Sequence, residues 1–176
     1  MDINRIPRNQ LGVGSHIALE PCETEHDLYW KMAIEVLEVI AENNKRGEPT
    51  VMIVPYGPLG PYSRLVYLVN KYRVSLKSCC FINMDEYLND DGTYIDIESP
   101  LSFRGSMRNN VYTKIDPELL MPEEQRVFPD PADPGRVDRL IEELGGVDIA
   151  FGGIGINGHL AFNEAQPELA PEEFAA

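Results

Sequence analysis

Three short apolar runs, each cut off by Gly, Pro or carboxylate residues, limit what this chain can fold into. Thr50-Val51-Met52-Ile53-Val54 runs into Pro55-Tyr56-Gly57-Pro58-Leu59-Gly60-Pro61, Ser78 to Asn83 runs into Met84-Asp85-Glu86, and Val147 to Phe151 runs into Gly152-Gly153-Ile154-Gly155. None alternates apolar with polar residues, so each reads as a strand covered on both faces.

The segments between and before them carry helical signals. Thr24 stands as an N-cap with Asp27 three residues on, and Leu28, Met32, Ile34, Val36, Leu37 and Ile40 continue a helix that stops at Gly47. A second helix is expected from about Pro61 to Tyr72, with Leu65, Leu68 and Val69 on one face. A third should start at Ser99-Pro100 and run through Phe103, Met107 and Val111, and a fourth should span Arg136 to Leu144 before Gly145-Gly146. Residues 1–22 and the proline-rich stretch 116–135 read as irregular. Strands separated by helices imply an α/β fold, a Rossmann-like three-layer sandwich with a mainly parallel sheet. In such sheets ligands bind outside the carboxyl ends of the strands, where the polar residues of this chain collect.

The 176 residues are expected to form a single α/β domain over 1–176. Pro171-Glu172-Glu173-Phe174-Ala175-Ala176 has the pattern of a helix beginning, so the expectation is the N-terminal part of a longer domain, truncated at its C-terminus. A formal net charge of -14 argues against nucleic acid, whose phosphates need a Lys/Arg surface. No apolar run matches a signal peptide or a membrane span, so no membrane partner is expected. Cys22, Cys79 and Cys80 lack metal-binding spacing and read as reduced core thiols of a cytoplasmic protein.

Four groups of residues carry the candidate chemistry. Gly153-Ile154-Gly155-Ile156-Asn157-Gly158 satisfies GxGxxG after a strand, but the acidic ribose partner expected about 20 residues further on falls in the acidic tail or past it, and a tight loop accounts for the glycines whatever the ligand. His159 stands among glycines with Asn157, Asn163 and Glu164 close by, a polar setting that suits proton transfer; a bend is needed to bring Glu164 to its side. Asp85-Glu86 follows an apolar strand, where partial desolvation can turn a carboxylate into a base; the bland alternative is a turn-forming acidic pair. Tyr56-Gly57-Pro58-Leu59-Gly60 joins a strand to a helix N-terminus, a place that favours anions, though the prolines in and around it remove donors and it has no Ser, Thr or Lys.

Phe81-Ile82-Asn83-Met84-Asp85-Glu86-Tyr87, Ser102-Phe103-Arg104-Gly105-Ser106-Met107 and the run from Gly152 to Glu164 together resemble, in order and spacing, the glucosamine-6-phosphate deaminase/isomerase family. The resemblance runs from about Val51 to Glu164. It implies conversion of a 2-amino-2-deoxy aldose 6-phosphate to a ketose 6-phosphate with release of ammonia, without metal or organic cofactor. It implies Asp85 as the base that moves a proton between C2 and C1, and His159 as the ring-opening group oriented by Glu164 and by Asn157. Tyr56, Gly57, Pro58, Gly153, Gly155 and Gly158 are the expected substrate and phosphate contacts. Position 157 is Asn where many members have Asp, and the loop at Tyr56 is shorter than the family's hydroxyl-bearing phosphate loop. The family's later Arg and Lys that hold phosphate would lie beyond Ala176. The implied partner is a small-molecule sugar phosphate, and a homo-oligomer is left open. Two rival readings are a 6-phosphogluconolactonase-like hydrolase and a sugar-phosphate-sensing domain that binds without turnover.

Overall fold

A computed structural model describes residues 5–155 and residue 159. Helix α1 (Glu25–Arg46) starts where its cap predicts: the Thr24 hydroxyl accepts from the Asp27 N–H at 3.2 Å while the Asp27 carboxylate accepts from the Thr24 N–H at 3.1 Å, a reciprocal capping box. Its buried residues Ala33, Val36, Ile40 and Asn43 recur at helical spacing, one stripe turned to the core. Strand β1 (Thr50–Val54) follows, then α2 (Gly60–Tyr72), β2 (Cys79–Asn83), α3 (Phe103–Asn110), β3 (Arg126–Val127), α4 (Arg136–Glu143) and β4 (Ile149–Ala150).

The strands pair in the order β3-β2-β1-β4, all parallel. Thr50 faces Cys79 and Val54 faces Asn83 across the central pair, so β1 and β2 end level with each other. Alternate side chains serve two cores. Met52, Val54, Cys79 and Phe81 pack with α1, α2 and α3, whereas Val51, Cys80, Ile82 and Val127 pack with Val137, Leu140 and Ile141 of α4. The expected three-layer α/β sandwich is therefore present. Because βαβ crossovers keep one hand, reversing the direction of strand addition after β3 sends α4 to the opposite face of the sheet from α2 and α3.

The end of α1 is tied to the returning strand by polar contacts. Buried Asn43 donates to the Pro49 carbonyl at 3.2 Å and to the Asp148 carboxylate at 3.1 Å, and Asp148 also accepts from the Val51 N–H at 2.7 Å. Asp148 thus satisfies a donor of β1 just before β4 begins to pair.

Three expectations shift. The proline-rich segment 116–135 contains β3, a two-residue strand hydrogen-bonded to β2, so the run at 147–151 supplies the fourth strand, pairs only over Ile149–Ala150, and is not covered on both faces as expected, since Ala150 is exposed and Ile149 half-buried on this edge strand. Helix α3 begins after Ser102 instead of at Ser99-Pro100. The Ser99 carbonyl accepts from the Ser102 N–H in a turn, and the Ser102 hydroxyl is the one that accepts from the Gly105 N–H at 3.1 Å.

Candidate functional site

The carboxyl ends of β1, β2 and β4 open onto one pocket of about 330 Å³, within the usual size of small-molecule sites. It lies where the strand order reverses, the β1–β4 junction at which doubly wound sheets leave a crevice. Pro55, Tyr56, Gly57 and Pro58 come from the end of β1, Met84 and Asp85 from the end of β2, and Gly153, Ile154, Gly155 and His159 from the glycine loop after β4. The structure therefore brings together three loops that lie far apart in sequence. Of the residues singled out, Asp85, His159, Tyr56, Gly57, Pro58, Gly153 and Gly155 line this pocket. Asn157, Gly158 and Glu164 lie outside the described residues.

Asp85 is half-buried, just past the end of a strand whose residues are all buried. Burial pushes its carboxyl above the ordinary carboxylate value, and the adjacent Glu86 anion adds to the rise. Glu86 is different in kind. Its side chain is 1% exposed, and its oxygens accept from Tyr87 N–H at 2.8 Å, Phe103 N–H at 3.0 Å, Arg104 N–H at 2.8 Å, the Ser102 hydroxyl at 2.9 Å and Arg104 Nε at 3.2 Å. Burial alone would raise its pKa, but the Arg104, Phe103 and Tyr87 N–H groups and the Ser102 hydroxyl together hold it below the ordinary value. The two acids are thus sorted by their surroundings, one facing the pocket with a raised pKa, the other locked as an anion at the N-terminus of α3.

Residue 159 is placed by its glycine neighbour. The Gly155 N–H donates to the His159 carbonyl at 2.9 Å, and a Cβ at 155 would overlap the His159 ring where it now lies, so a side chain there would have to displace the imidazole. Part of the pocket lining is aromatic. Tyr56 and Phe103 stack with centroids 4.1 Å apart and planes 9° apart, and Tyr87 meets Phe103 edge-on at 5.1 Å. The Tyr62 hydroxyl of α2 donates to the Pro55 carbonyl, which ties the first turn of that helix to the loop beneath the pocket.

The N-terminus of α2 has no side-chain cap and carries Pro61 in its first turn, and the Tyr29 ring packs against Gly60. Among the described residues, no group of three or more His, Cys, Asp or Glu could hold a metal ion. No helix among them is long and apolar enough to cross a membrane.

The place of Phe103 in the pocket wall, and the clamping part played by Glu86, are what periodicity and spacing did not pick out. The available signal was Ser102 followed by Phe103-Arg104-Gly105, which marks a helix start but does not say that a strand-end carboxylate occupies it.

Fold and site together define a doubly wound α/β protein with a candidate active site at the carboxyl edge of its sheet. Similarity narrows this. The chain is 32% identical over 148 residues to a glucosamine-6-phosphate deaminase of Bacteroides fragilis, covering 80% of this chain and 52% of that protein. It is 33% identical over 156 residues to one of Porphyromonas gingivalis, covering 84% and 56%. The chain spans about half the length of the curated relatives it matches. Among solved structures, one described as a monomeric glucosamine-6-phosphate deaminase, a missing link of the NagB superfamily, superposes with a TM-score of 0.71 at 26% identity, over 84% of this chain and 59% of that one. The 6-phosphogluconolactonase of Thermotoga maritima shares the fold, with a TM-score of 0.52 at 17% identity over 76% and 59%. No family model matches the sequence. Over the stretch that it shares with these relatives, the chain belongs to the glucosamine-6-phosphate deaminase/isomerase family.

Proposed function

We propose that the protein of which this chain is at least a part isomerises and deaminates an amino-sugar phosphate, converting glucosamine 6-phosphate or a close relative to a ketose 6-phosphate and ammonia. The observation that carries this is the meeting of Asp85, its pKa raised by burial, with His159 in one pocket at the strand ends. Isomerisation needs one base beside two adjacent carbons. Asp85 takes the C2 proton of the open-chain aldose, the electron pair shifts toward C1 and O1 as an enolamine, and the same carboxyl returns the proton to C1. The resulting C2 imine is hydrolysed by one water, and ammonia leaves. A raised pKa suits both halves, because the group must give back what it takes.

His159 has the chemistry to move the proton that opens the sugar ring, with Glu164 and Asn157 proposed as the groups that orient it. Tyr56, Gly57 and Pro58, with Gly153, Gly155 and Gly158, are proposed to contact the sugar and its phosphate. The relatives' shared name supports this reading above the lactonase one, whose likeness extends to the fold alone.

The test is ammonia release by the purified full-length protein from glucosamine 6-phosphate, with galactosamine 6-phosphate and unphosphorylated glucosamine alongside. Release from a phosphorylated amino sugar is expected. Asp85→Asn keeps the shape and removes the base, so turnover should fall at least ~10²-fold. Hydrolysis of 6-phosphogluconolactone without ammonia release would overturn the reading in favour of the hydrolase, and near-normal turnover by the Asp85→Asn variant would remove Asp85 from it.

A further inference from the structure

Glu86 has more donors than the start of a short helix requires. Ser102 already caps α3 by accepting from the Gly105 N–H, yet the Glu86 carboxylate takes the Phe103 and Arg104 N–H groups, the Ser102 hydroxyl and Arg104 Nε as well. A carboxylate with 1% exposure is costly to bury unless its oxygens are met by donors, and here both are. Arg104 is in turn fixed by donating to the Ile95 carbonyl at 2.7 Å and by stacking 4.1 Å over the Tyr94 ring.

The two ends of this clamp are both next to pocket walls. Asp85 precedes Glu86 in the chain, and Phe103, whose N–H is held, turns its ring into the pocket and onto Tyr56. We propose that Glu86 is a positioning residue of the site: by clamping the first turn of α3 to the end of β2, its buried carboxylate sets both the Asp85 carboxylate and the Phe103 wall against the substrate. This rests on the reading of Asp85 as the base. The charge matters as well as the geometry, since the Glu86 anion is, after burial, the second cause of the rise at Asp85. The other titratable groups around the pair are Tyr62 from α2, His159 from the glycine loop, Asp130 from the segment after β3, and Arg104 and Tyr94 beside Glu86. Of these, Arg104 and Tyr94 also feel the Glu86 charge directly, through the Arg104 ion pair and the rise at Tyr94 to which Glu86 contributes.

The full-length protein tests this through Glu86→Gln and Glu86→Asp, with kcat, KM and the pH profile of kcat/KM measured for each. Glu86→Gln removes the charge and places an amide where donors converge, so kcat should fall ~10-fold or more through misplacement of the base, with KM changing less. Loss of the neighbouring anion should also move the acid limb to lower pH. Glu86→Asp keeps the charge and shortens the reach, so kcat should fall while the acid limb stays at its wild-type position. If Glu86→Gln does not fold, Ser102→Ala carries the test: it removes one donor and leaves the anion, and should lower kcat without moving the acid limb. An active wild type beside a folded Glu86→Gln variant with unchanged kcat and unchanged acid limb overturns the role of Glu86 alone, as does an unchanged kcat in Ser102→Ala. A wild type that releases no ammonia overturns the reading of Asp85 on which the inference rests.

Discussion

At the scale of single residues, the proposed site rests on a carboxylate kept where it is uncomfortable. Asp85 is raised by burial first and by Glu86 second, so the folded state prefers it protonated more than the unfolded chain does. The sign follows from linkage. The stability that Asp85 contributes is present below its unfolded pKa and is lost as pH rises through its folded pKa, so ionised Asp85 is a liability to the fold at neutral pH. Asp85→Asn should therefore raise the melting temperature at pH 7–8, and this advantage should shrink as pH falls toward and below about 4, the ordinary range of a carboxylate. Thermal melts of both proteins from acid to neutral pH check this; a variant that melts lower than wild type at neutral pH would contradict the strained-base picture. Cys79 shows the same physics inside the core: burial pushes its thiol up to about 12, which keeps it a neutral group.

At the scale of elements, α3 matters more than its eight residues suggest. Its first turn lies against the Ile97 backbone so closely that a Cβ at Gly105 would overlap the Ile97 carbonyl oxygen, and a backbone atom cannot swing aside as a side-chain tip can. Gly105→Ala should lift α3 off the 95–98 segment, destabilise the fold by ~1–3 kcal/mol and lower activity by loosening Phe103 and the Glu86 contacts. Urea unfolding and ammonia release measured on the same preparation test it, and wild-type values for both would show that the turn can shift without consequence. This element also marks where the sequence stops being legible. Helix α1 and strands β1 and β2 could be read because their signals are local, a capping box, a helical stripe and runs of apolar residues. The start of α3 could not, because the carboxylate that holds it, Glu86, lies 16 to 18 residues from the groups it binds. Strand β3 was hidden for a similar reason. Two residues between prolines have no period, and what makes Arg126–Val127 a strand is pairing with Phe81 and Ile82 of β2. In the site, Asp85, His159 and the glycine loop were visible as residue types following strands, whereas the stacking of Tyr56 on Phe103 needed the third dimension.

At the scale of the chain as a whole, its net charge of -14 contributes to the field that any substrate meets. Among the described residues lining the pocket there is a carboxylate and an imidazole but no Lys or Arg, and the guanidinium in the clamp, Arg104, is neutralised by Glu86. A sugar phosphate approaching this chain therefore moves against a repulsive potential, the reverse of the steering that accelerates many charged substrates. Screening should relieve it. The Debye length falls from ~30 Å at ~0.01 M to ~8 Å at ~0.15 M ionic strength, shorter than the reach of charges spread over a domain of this size. For a phosphorylated amino sugar, kcat/KM should thus rise ~2- to 5-fold as ionic strength increases across that range, mainly through a lower KM. Any turnover of an unphosphorylated, uncharged analogue should stay flat over the same range, which separates field effects from salt effects on the fold. Steady-state kinetics at constant pH with sodium chloride as the variable gives the answer. A fall in kcat/KM with salt for the phosphorylated substrate would mean that cations local to the site overrule the field of the chain, and would locate the phosphate grip in residues outside those described around this pocket.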